Sequence, residues 1–396
     1  MGRWLRTALA IAITLAILLP ASASSTDSRA ASSIQLGYGV MVANIFALDP
    51  VVDMGFDWIV HFLRWANVQP KEGGGYHWGD LDNILQQAGS RGLNVLIRVD
   101  RPPDWARKPG TSETGPVRPD KLGHWQTFLR EMAAHARAKI QAEGWDVEIA
   151  YEIWTEPNLS VEWGRLPPDP GYYTTMLQHA YWGIKAGDPQ AIVVTAGLAT
   201  TGPAGMEQPP AYPQAWSDLL FIQAMYDHGA KGYFDALGSH PYGFAYPPEQ
   251  DPWQVNGLAF RRAEQQRQVM VANGDGDKLI WATEWGWLLD PGSGCYDWGD
   301  WSTRTWQIVS QEQQADYLRR AFLYACRHWP WMGPMFVSNL DFSTVPWYHE
   351  CEPMRWYSIL NPDGSPRLAY TYLKEMPKPP CAKVYLPIAA KNYIAP

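Results

Sequence analysis

Two extended, largely apolar runs of the 396-residue chain end in a glutamate: Glu156 in YEIWTEPNL (Tyr151 to Leu159) and Glu284 in LIWATEWGW. Read with period two, Val147, Ile149, Tyr151 and Ile153 fall on one side of the first run, while Glu148, Glu152, Trp154 and Glu156 fall on the other. Pro157 then stops regular strand pairing. A carboxyl group at such a strand end is placed to give or take a proton. The same residue would also serve as a plain polar strand end, so the elements around it must decide.

Short β-like runs alternate with helical ones along the chain. The strands predicted are Gln35–Val42, Trp58–Arg64, Asn94–Val99, Glu148–Trp154, Ala191–Ala196, Ala236–His240, Leu279–Thr283 and Pro334–Asn339. Amphipathic stretches fall between them, among them Lys121–Gln141, Tyr172–Lys185 and Glu312–His328, and Pro366–Lys374 follows the last strand. Eight strand-helix alternations predict an α/β fold, a (β/α)8 TIM barrel forming a single catalytic domain over residues 34–375. A doubly wound open sheet is the alternative, but no Gly-rich phosphate loop follows the first strand. In a barrel the chemistry lies at the carboxyl ends of the strands.

Four strand ends carry candidate residues: Arg64 in HFLRWANVQP after strand two, Glu156 after strand four, His240-Pro241-Tyr242 after strand six and Glu284 after strand seven. Together these segments resemble the clan A glycoside hydrolases, in particular cellulase-like and family 39 xylosidase-like retaining enzymes. EIWTEPN is similar to the Trp-Asn-Glu-Pro pattern of the clan, TEWG to its nucleophile segment, and RWANVQPKEGGGYHWGDLDNIL to its strand-two region. The resemblance spans residues 34 to 375 and implies Glu156 as acid/base and Glu284 as nucleophile. It also implies that His240 and Tyr242 contact the substrate and the nucleophile.

The chemistry has its own logic. Retaining cleavage of a glycosidic bond needs one carboxylate to attack the sugar and one carboxylic acid to protonate the leaving oxygen, about 5 to 5.5 Å apart. At that spacing two charged carboxylates repel by about 3 kcal/mol at an effective dielectric near 20, so one stays protonated. Arg64 is expected to lie against Glu284, keep it charged and leave Glu156 as the acid. Arg98 and Asp100 on strand three are expected to be interior structural charges.

Each candidate has a blander role: the glutamates as structural ion pairs, Arg64 as a counter-charge to Glu152, and His240 as a hydrogen-bonded residue of a polar mouth. Asn158 lies beside the acid and is expected to touch sugar hydroxyls. Thr155 stands where most clan members carry Asn, which weakens the substrate assignment and leaves Thr155 itself a candidate contact. The usual Trp at the end of strand eight is absent from SNLDFSTVPW, with Trp347 nearby. Tryptophan at 22 and tyrosine at 20 residues are high for the length, and flat rings with a polar handle can stack on sugar faces, although Trp also fills large cores and about half of these rings are expected to do so. Trp65, Trp285 and Trp287 are the platforms expected nearest the substrate.

The remaining features bound the setting. A charged start, the 13-residue apolar run Thr7–Leu19 and Ala21-Ser22-Ala23 read as a secretory signal peptide over residues 1–23, followed by a leader over 24–33. Residues 1–23 carry only Arg3 and Arg6, so the formal net charge of −8 becomes −10 without them. No basic block occurs, which argues against nucleic acid, and no later segment resembles a membrane span. Cys295 and Cys351 fall in loops at the catalytic face, and Cys326 and Cys381 toward the opposite face, which predicts disulfides 295–351 and 326–381. Asn273, Asp275 and Asp277 read as a polar turn rather than a calcium loop, and no cofactor or metal is expected. The tail, 376–396, begins Pro-rich and is too short for a domain. The expected function is thus a secreted retaining hydrolase of β-linked glycosides. A non-catalytic carbohydrate-binding barrel would bind glycans without turnover, and a transglycosylase using the same two glutamates would pass the sugar to an acceptor other than water.

Overall fold

The computed structural model describes residues 36–202, 215–379 and 381. The expected signal peptide and leader lie outside the described residues, as does most of the tail. Eight parallel strands close into a barrel: β1 (Tyr38–Met41), β2 (Trp58–Arg64), β3 (Asn94–Asp100), β4 (Ile149–Ile153), β5 (Ile192–Thr195), β6 (Ala236–His240), β7 (Leu279–Trp285) and β8 (Met332–Val337). Each pairs with its sequence neighbour, β1 also pairs β8, and Val194 opposite Ala236 closes β5 to β6. This is the (β/α)8 TIM barrel.

One helix packs outside after each strand: α1 (Asp49–Asp53), α2 (Gly79–Gly89), α3 (Leu122–Glu143), α4 (Pro170–Gly187), α5 (Asp218–Asp227), α6 (Arg262–Ala272), α7 (Gln311–His328) and α8 (Leu368–Glu375). Local chemistry fixes their ends. Ser310 and Gln313 form a reciprocal capping box at the start of α7, and Gly144 at φ 69° ends α3 in the left-handed region.

Strand alternation divides the core in two. Met41, Trp58, Val60, Leu96, Ala150, Val194, Trp281 and Phe336 fill the barrel interior, while Tyr151, Ile153, Val95 and Ile97 face the helices. Pairing sets layers across the interior: Val60 opposite Leu96 opposite Ala150, then Phe62 opposite Arg98 opposite Glu152. The lower layer is apolar, and the upper one carries a buried ion pair.

β8 begins two residues before the expected Pro334 and ends at Val337 rather than Asn339. Its register against β7 shifts between Met332 and Met335, across Pro334, which has no N–H to donate. Two disulfides, Cys295–Cys351 and Cys326–Cys381, tie the segment after β7 to that after β8 and the end of α7 to the chain beyond α8. Among the described residues no helix is long and apolar enough to cross a membrane.

Candidate active site

The interior face of β4 ends on Glu152, and the next inward-facing acid, Glu156, arrives by an irregular path. Trp154 at φ 77° and Glu156 at φ 42° both adopt left-handed backbone, a costly state for side chains of this size. Three hydrogen bonds hold them there: Trp154 N to Val99 O at 3.0 Å, Trp154 Nε1 to Glu162 O at 2.8 Å and Glu156 N to Gly197 O at 2.9 Å. Glu284 reaches the mouth differently, as the penultimate residue of β7, where the register against β8 shifts between Ala282 and Trp285 with no residue in the left-handed region.

His240, the last residue of β6, joins the two. It donates from Nδ1 to Glu156 Oε1 at 2.8 Å, and the same nitrogen lies 4.0 Å from Glu284 Oε2. Those two oxygens therefore lie no farther apart than the sum of the distances, 6.8 Å. Gly197 leaves room for this ring, because a Cβ at that position would sit 2.1 Å from His240 Cδ2.

The two carboxylates have unequal company. Glu284 Oε1 accepts from Arg98 Nη1, and Glu284 Oε2 accepts from the Tyr242 hydroxyl at 2.7 Å. Burial opposes its ionisation, but the charges of His240 and Arg98 and the tyrosine hydrogen bond outweigh it and hold the carboxyl below its usual range. Beneath it, Glu152 accepts from Arg98 Nε at 2.7 Å, Thr283 Oγ1 at 2.6 Å and Gly197 N at 2.9 Å. Burial again works against the charge, and Arg98 and His240 overcome it to bring Glu152 down to about 2. For His240 desolvation favours the neutral ring, yet Glu284, Glu152 and Glu156 push it up to about 9. The ring's Nε2 is 3.3 Å from Arg98 Nη2 and 3.8 Å from Glu152 Oε1, so in the charged form its proton points to Glu152. Glu162, in the turn after β4, is raised to about 7 by burial and by the neighbouring Glu156.

The structure corrects several expectations. Arg98, not Arg64, lies against Glu284 and neutralises Glu152. Arg64 at the end of β2 is exposed and lines a groove of about 960 Å³ over the ends of β1, β2 and β8, together with Phe46, Phe62, Arg101, Trp347 and Tyr348. Phe62 joins this groove to the centre, since the Arg98 guanidinium lies 5.3 Å from its ring. Asn158 is fully buried, and its amide is occupied by the backbone of Ala199 and Trp216, so it is not free to meet a sugar. Trp65, Trp285 and Trp287 are also buried and pack the core: Trp65 stacks on Phe128 at 5.2 Å, and Trp285 meets Phe322 edge-on at 4.9 Å. Rings that are exposed instead include Trp347 at 68 %, Phe46 at 62 % and Trp306 at 46 %, the last stacked on Phe244. Thr155 is half-buried between the two left-handed residues.

Arg98 and Glu152 carry more of the centre than the sequence assigned to them. Their signal was a charge of each sign at inward positions of adjacent strands, in LIRVD and YEIW. Ser338, whose hydroxyl lies 3.1 Å from that of Tyr242, left no such signal.

No family model matches the chain, and no curated protein matches it. Solved structures do. A family 39 glycoside hydrolase from the gut symbiont Bacteroides cellulosilyticus WH2 aligns over 86% of this chain and 63% of its own, at 20% identity and a TM-score of 0.61. A GH39 β-xylosidase from Caulobacter crescentus aligns over 86% of this chain and 70% of its own, at 19% identity and 0.56. A GH5_18 protein from Bifidobacterium longum subsp. infantis covers 87% of this chain and 78% of its own, at 12% identity and 0.57. The chain thus spans roughly two thirds of the family 39 structures, and what it shares with these glycoside hydrolases is the (β/α)8 barrel fold.

Proposed function

We propose that this protein is an exported retaining glycoside hydrolase acting on β-linked carbohydrate, with Glu284 as nucleophile and Glu156 as acid/base. The observation that carries the reading is the joint hold of both carboxylates on His240 Nδ1, which keeps their oxygens within 6.8 Å. That bound on their approach accommodates the spacing of about 5 to 5.5 Å used for retention. The barrel neighbours, which are glycosidases, support the same substrate class. Two disulfides suit an oxidising compartment outside the cell.

In the first step Glu156 gives its proton to the leaving oxygen while a Glu284 oxygen attacks the anomeric carbon, forming a glycosyl ester. Arg98, His240 and Tyr242 keep Glu284 ionised and ready to attack. Once the ester forms, that negative charge is gone, and Glu156, now a carboxylate, takes a proton from water as the water attacks the same carbon and the ester bond breaks, returning Glu284 as a carboxylate. The groove holding Arg64, Phe46 and Trp347 supplies polar and aromatic contacts for sugar units beyond the one cleaved.

The deciding experiment incubates the purified chain with β-glucans, xylans, mannans and aryl β-glycosides and follows the anomer released by NMR. Retention is expected, with product sizes separating endo from exo cleavage and transfer products marking a transglycosylase. Glu284→Gly with azide should yield a glycosyl azide of inverted configuration, and Glu156→Ala one of retained configuration. The opposite pair of outcomes would exchange the two roles, and saturable binding without turnover on every glycan would leave a carbohydrate-binding barrel.

A further inference from the structure

A second cavity, of about 510 Å³, lies away from the catalytic pair, between the segment that follows β7 and the segment that follows β8. Two arginines line it. Arg355 belongs to the short helix Pro353–Tyr357, and Arg367 immediately precedes α8. Arg355 donates from Nη1 to the carbonyls of Val345 at 3.3 Å and Tyr348 at 3.0 Å. Arg367 donates from Nη1 to the carbonyls of Ser358 at 2.8 Å and Arg355 at 3.4 Å, and from Nε to Asn361 Oδ1 at 3.3 Å. All of these acceptors are neutral. Among the described residues neither guanidinium has a carboxylate within 4.0 Å, in contrast to Arg98, Arg262 and Arg320, which each have one.

That leaves positive charge without a counter-charge in a confined place. Arg367 is only 6% exposed, and desolvation, followed by the charge of Arg355, brings it down to about 10. Among the described residues the Nη2 groups of both arginines and Nε of Arg355 have no protein acceptor, yet they are not sealed from solvent, so their donors remain available to the cavity. The positive end of the 18-residue helix α7 adds to the same wall through Ser310 and Gln311. Asp290 and Glu350 also line the cavity, but both are exposed and neither pairs with an arginine. The Asp290 carboxylate is occupied by Gly292 N at 2.8 Å and the Tyr296 hydroxyl at 3.0 Å.

We infer that this cavity is a second binding site, specific for a small oxyanion group gripped by the guanidinium forks of Arg355 and Arg367. Planar forks suit the paired oxygens of a carboxylate, sulfate or phosphate. The cavity is larger than an inorganic ion, so besides a free ion it has room for the same group carried on a sugar. The site stands independently of the reading of the barrel mouth.

The test is calorimetric titration of the full chain with sodium sulfate, with glucuronate and with glucose, at low ionic strength. Sulfate and glucuronate should bind saturably and glucose should not. Tighter binding of glucuronate would identify a sugar-borne anion, and equal or weaker binding a free ion. Arg355→Gln should weaken the anions by about tenfold or more. Arg367→Lys, which keeps the charge and the fold but loses the fork, should weaken them as well, and it decides the matter if Arg355→Gln does not fold. No saturable anion binding by the folded wild-type chain, or affinities unchanged in the folded variants, would overturn the assignment.

Discussion

The ends of β4 and β7 present the same residue to the same histidine in opposite ways. Glu284 stands within β7, at a register shift against β8, its side chain 11% exposed, with Arg98 and Tyr242 as donors. Glu156 is itself left-handed, two residues after left-handed Trp154, its side chain 22% exposed, with His240 as its hydrogen-bond donor and Glu162 as an acidic neighbour. Chemistry follows company rather than residue type. Under the proposed roles, the carboxyl with fixed positive partners is the one that attacks, and the one with fewer partners and more access to water is the acid/base.

Removing each carboxyl tests the contrast most directly. Glu284→Ala has no attacking group and should reduce kcat by more than about 10⁴-fold on every substrate. Glu156→Ala should cost about 10²- to 10⁴-fold on glycans and much less on aryl glycosides, whose leaving group needs little protonation. Steady-state kinetics on both substrate types reads the difference. Equal losses for both variants on aryl glycosides would erase the distinction between the two strand ends.

The support beneath Glu284 should matter for folding as well as for rate. Arg98→Met leaves Glu152 buried without its counter-charge and should cost about 3 to 5 kcal/mol in urea unfolding. Acid should act on the same pair. Glu152 is held at about 2 against an ordinary 4.5, so its ionised form stabilises the fold above about pH 4.5, and that contribution fades as pH falls toward 2. The total is about 3 kcal/mol. Urea midpoints measured from pH 6 down to pH 2 should follow that course; a flat profile would mean that Glu152 titrates alike in the folded and unfolded chain, and a rise toward acid that it is neutral when folded.

How far the sequence foretold this centre depends on what each residue's position required. Barrel, strand order and the location of both glutamates at strand ends were legible because alternation and chain order are local properties. The partner of Glu284 was not. Arg64 and Arg98 both sit at inward positions of neighbouring strands, and only register and depth separate them: Arg98 lies one layer lower, opposite Glu152, while Arg64 clears the rim into the groove. The tryptophans were misplaced for a related reason. Trp65, Trp285 and Trp287 follow strand ends in sequence, but the chain turns their rings back under the loops, and only a three-dimensional path distinguishes a ring that faces sugar from one that fills core. Asn158 was claimed by the segment around Ala199 and Trp216, a partner some forty or more residues away that no local pattern announces.

His240 is the shared element, so altering it sharpens the comparison instead of removing one side. His240→Asn keeps a polar side chain but withdraws a positive charge from beside Glu284. Losing a nearby cation raises a carboxyl's pKa, so the acidic limb of the kcat/KM profile should move to higher pH by about one pH unit or more. In the wild type the ring is held near 9, so the charge is present below that pH and is lost as pH rises through it. A limb that stays in place would show that Arg98 alone sets the state of Glu284.

The smallest effect expected is that of Tyr242→Phe, and it isolates one hydrogen bond. The hydroxyl donates to Glu284 Oε2 at 2.7 Å and contacts Ser338 Oγ at 3.1 Å, while the ring packs on Tyr357 at 5.2 Å and would remain. A hydrogen bond to a charged group contributes about 1.5 to 3 kcal/mol, but here it is made to the ground-state carboxylate and weakens as Glu284 gives up its charge to the sugar. Its loss should therefore raise the acidic limb slightly while leaving kcat at neutral pH within about tenfold of the wild type. A far larger fall in kcat, with the limb unmoved, would instead mean that the hydroxyl serves the transition state directly by meeting the substrate rather than the nucleophile.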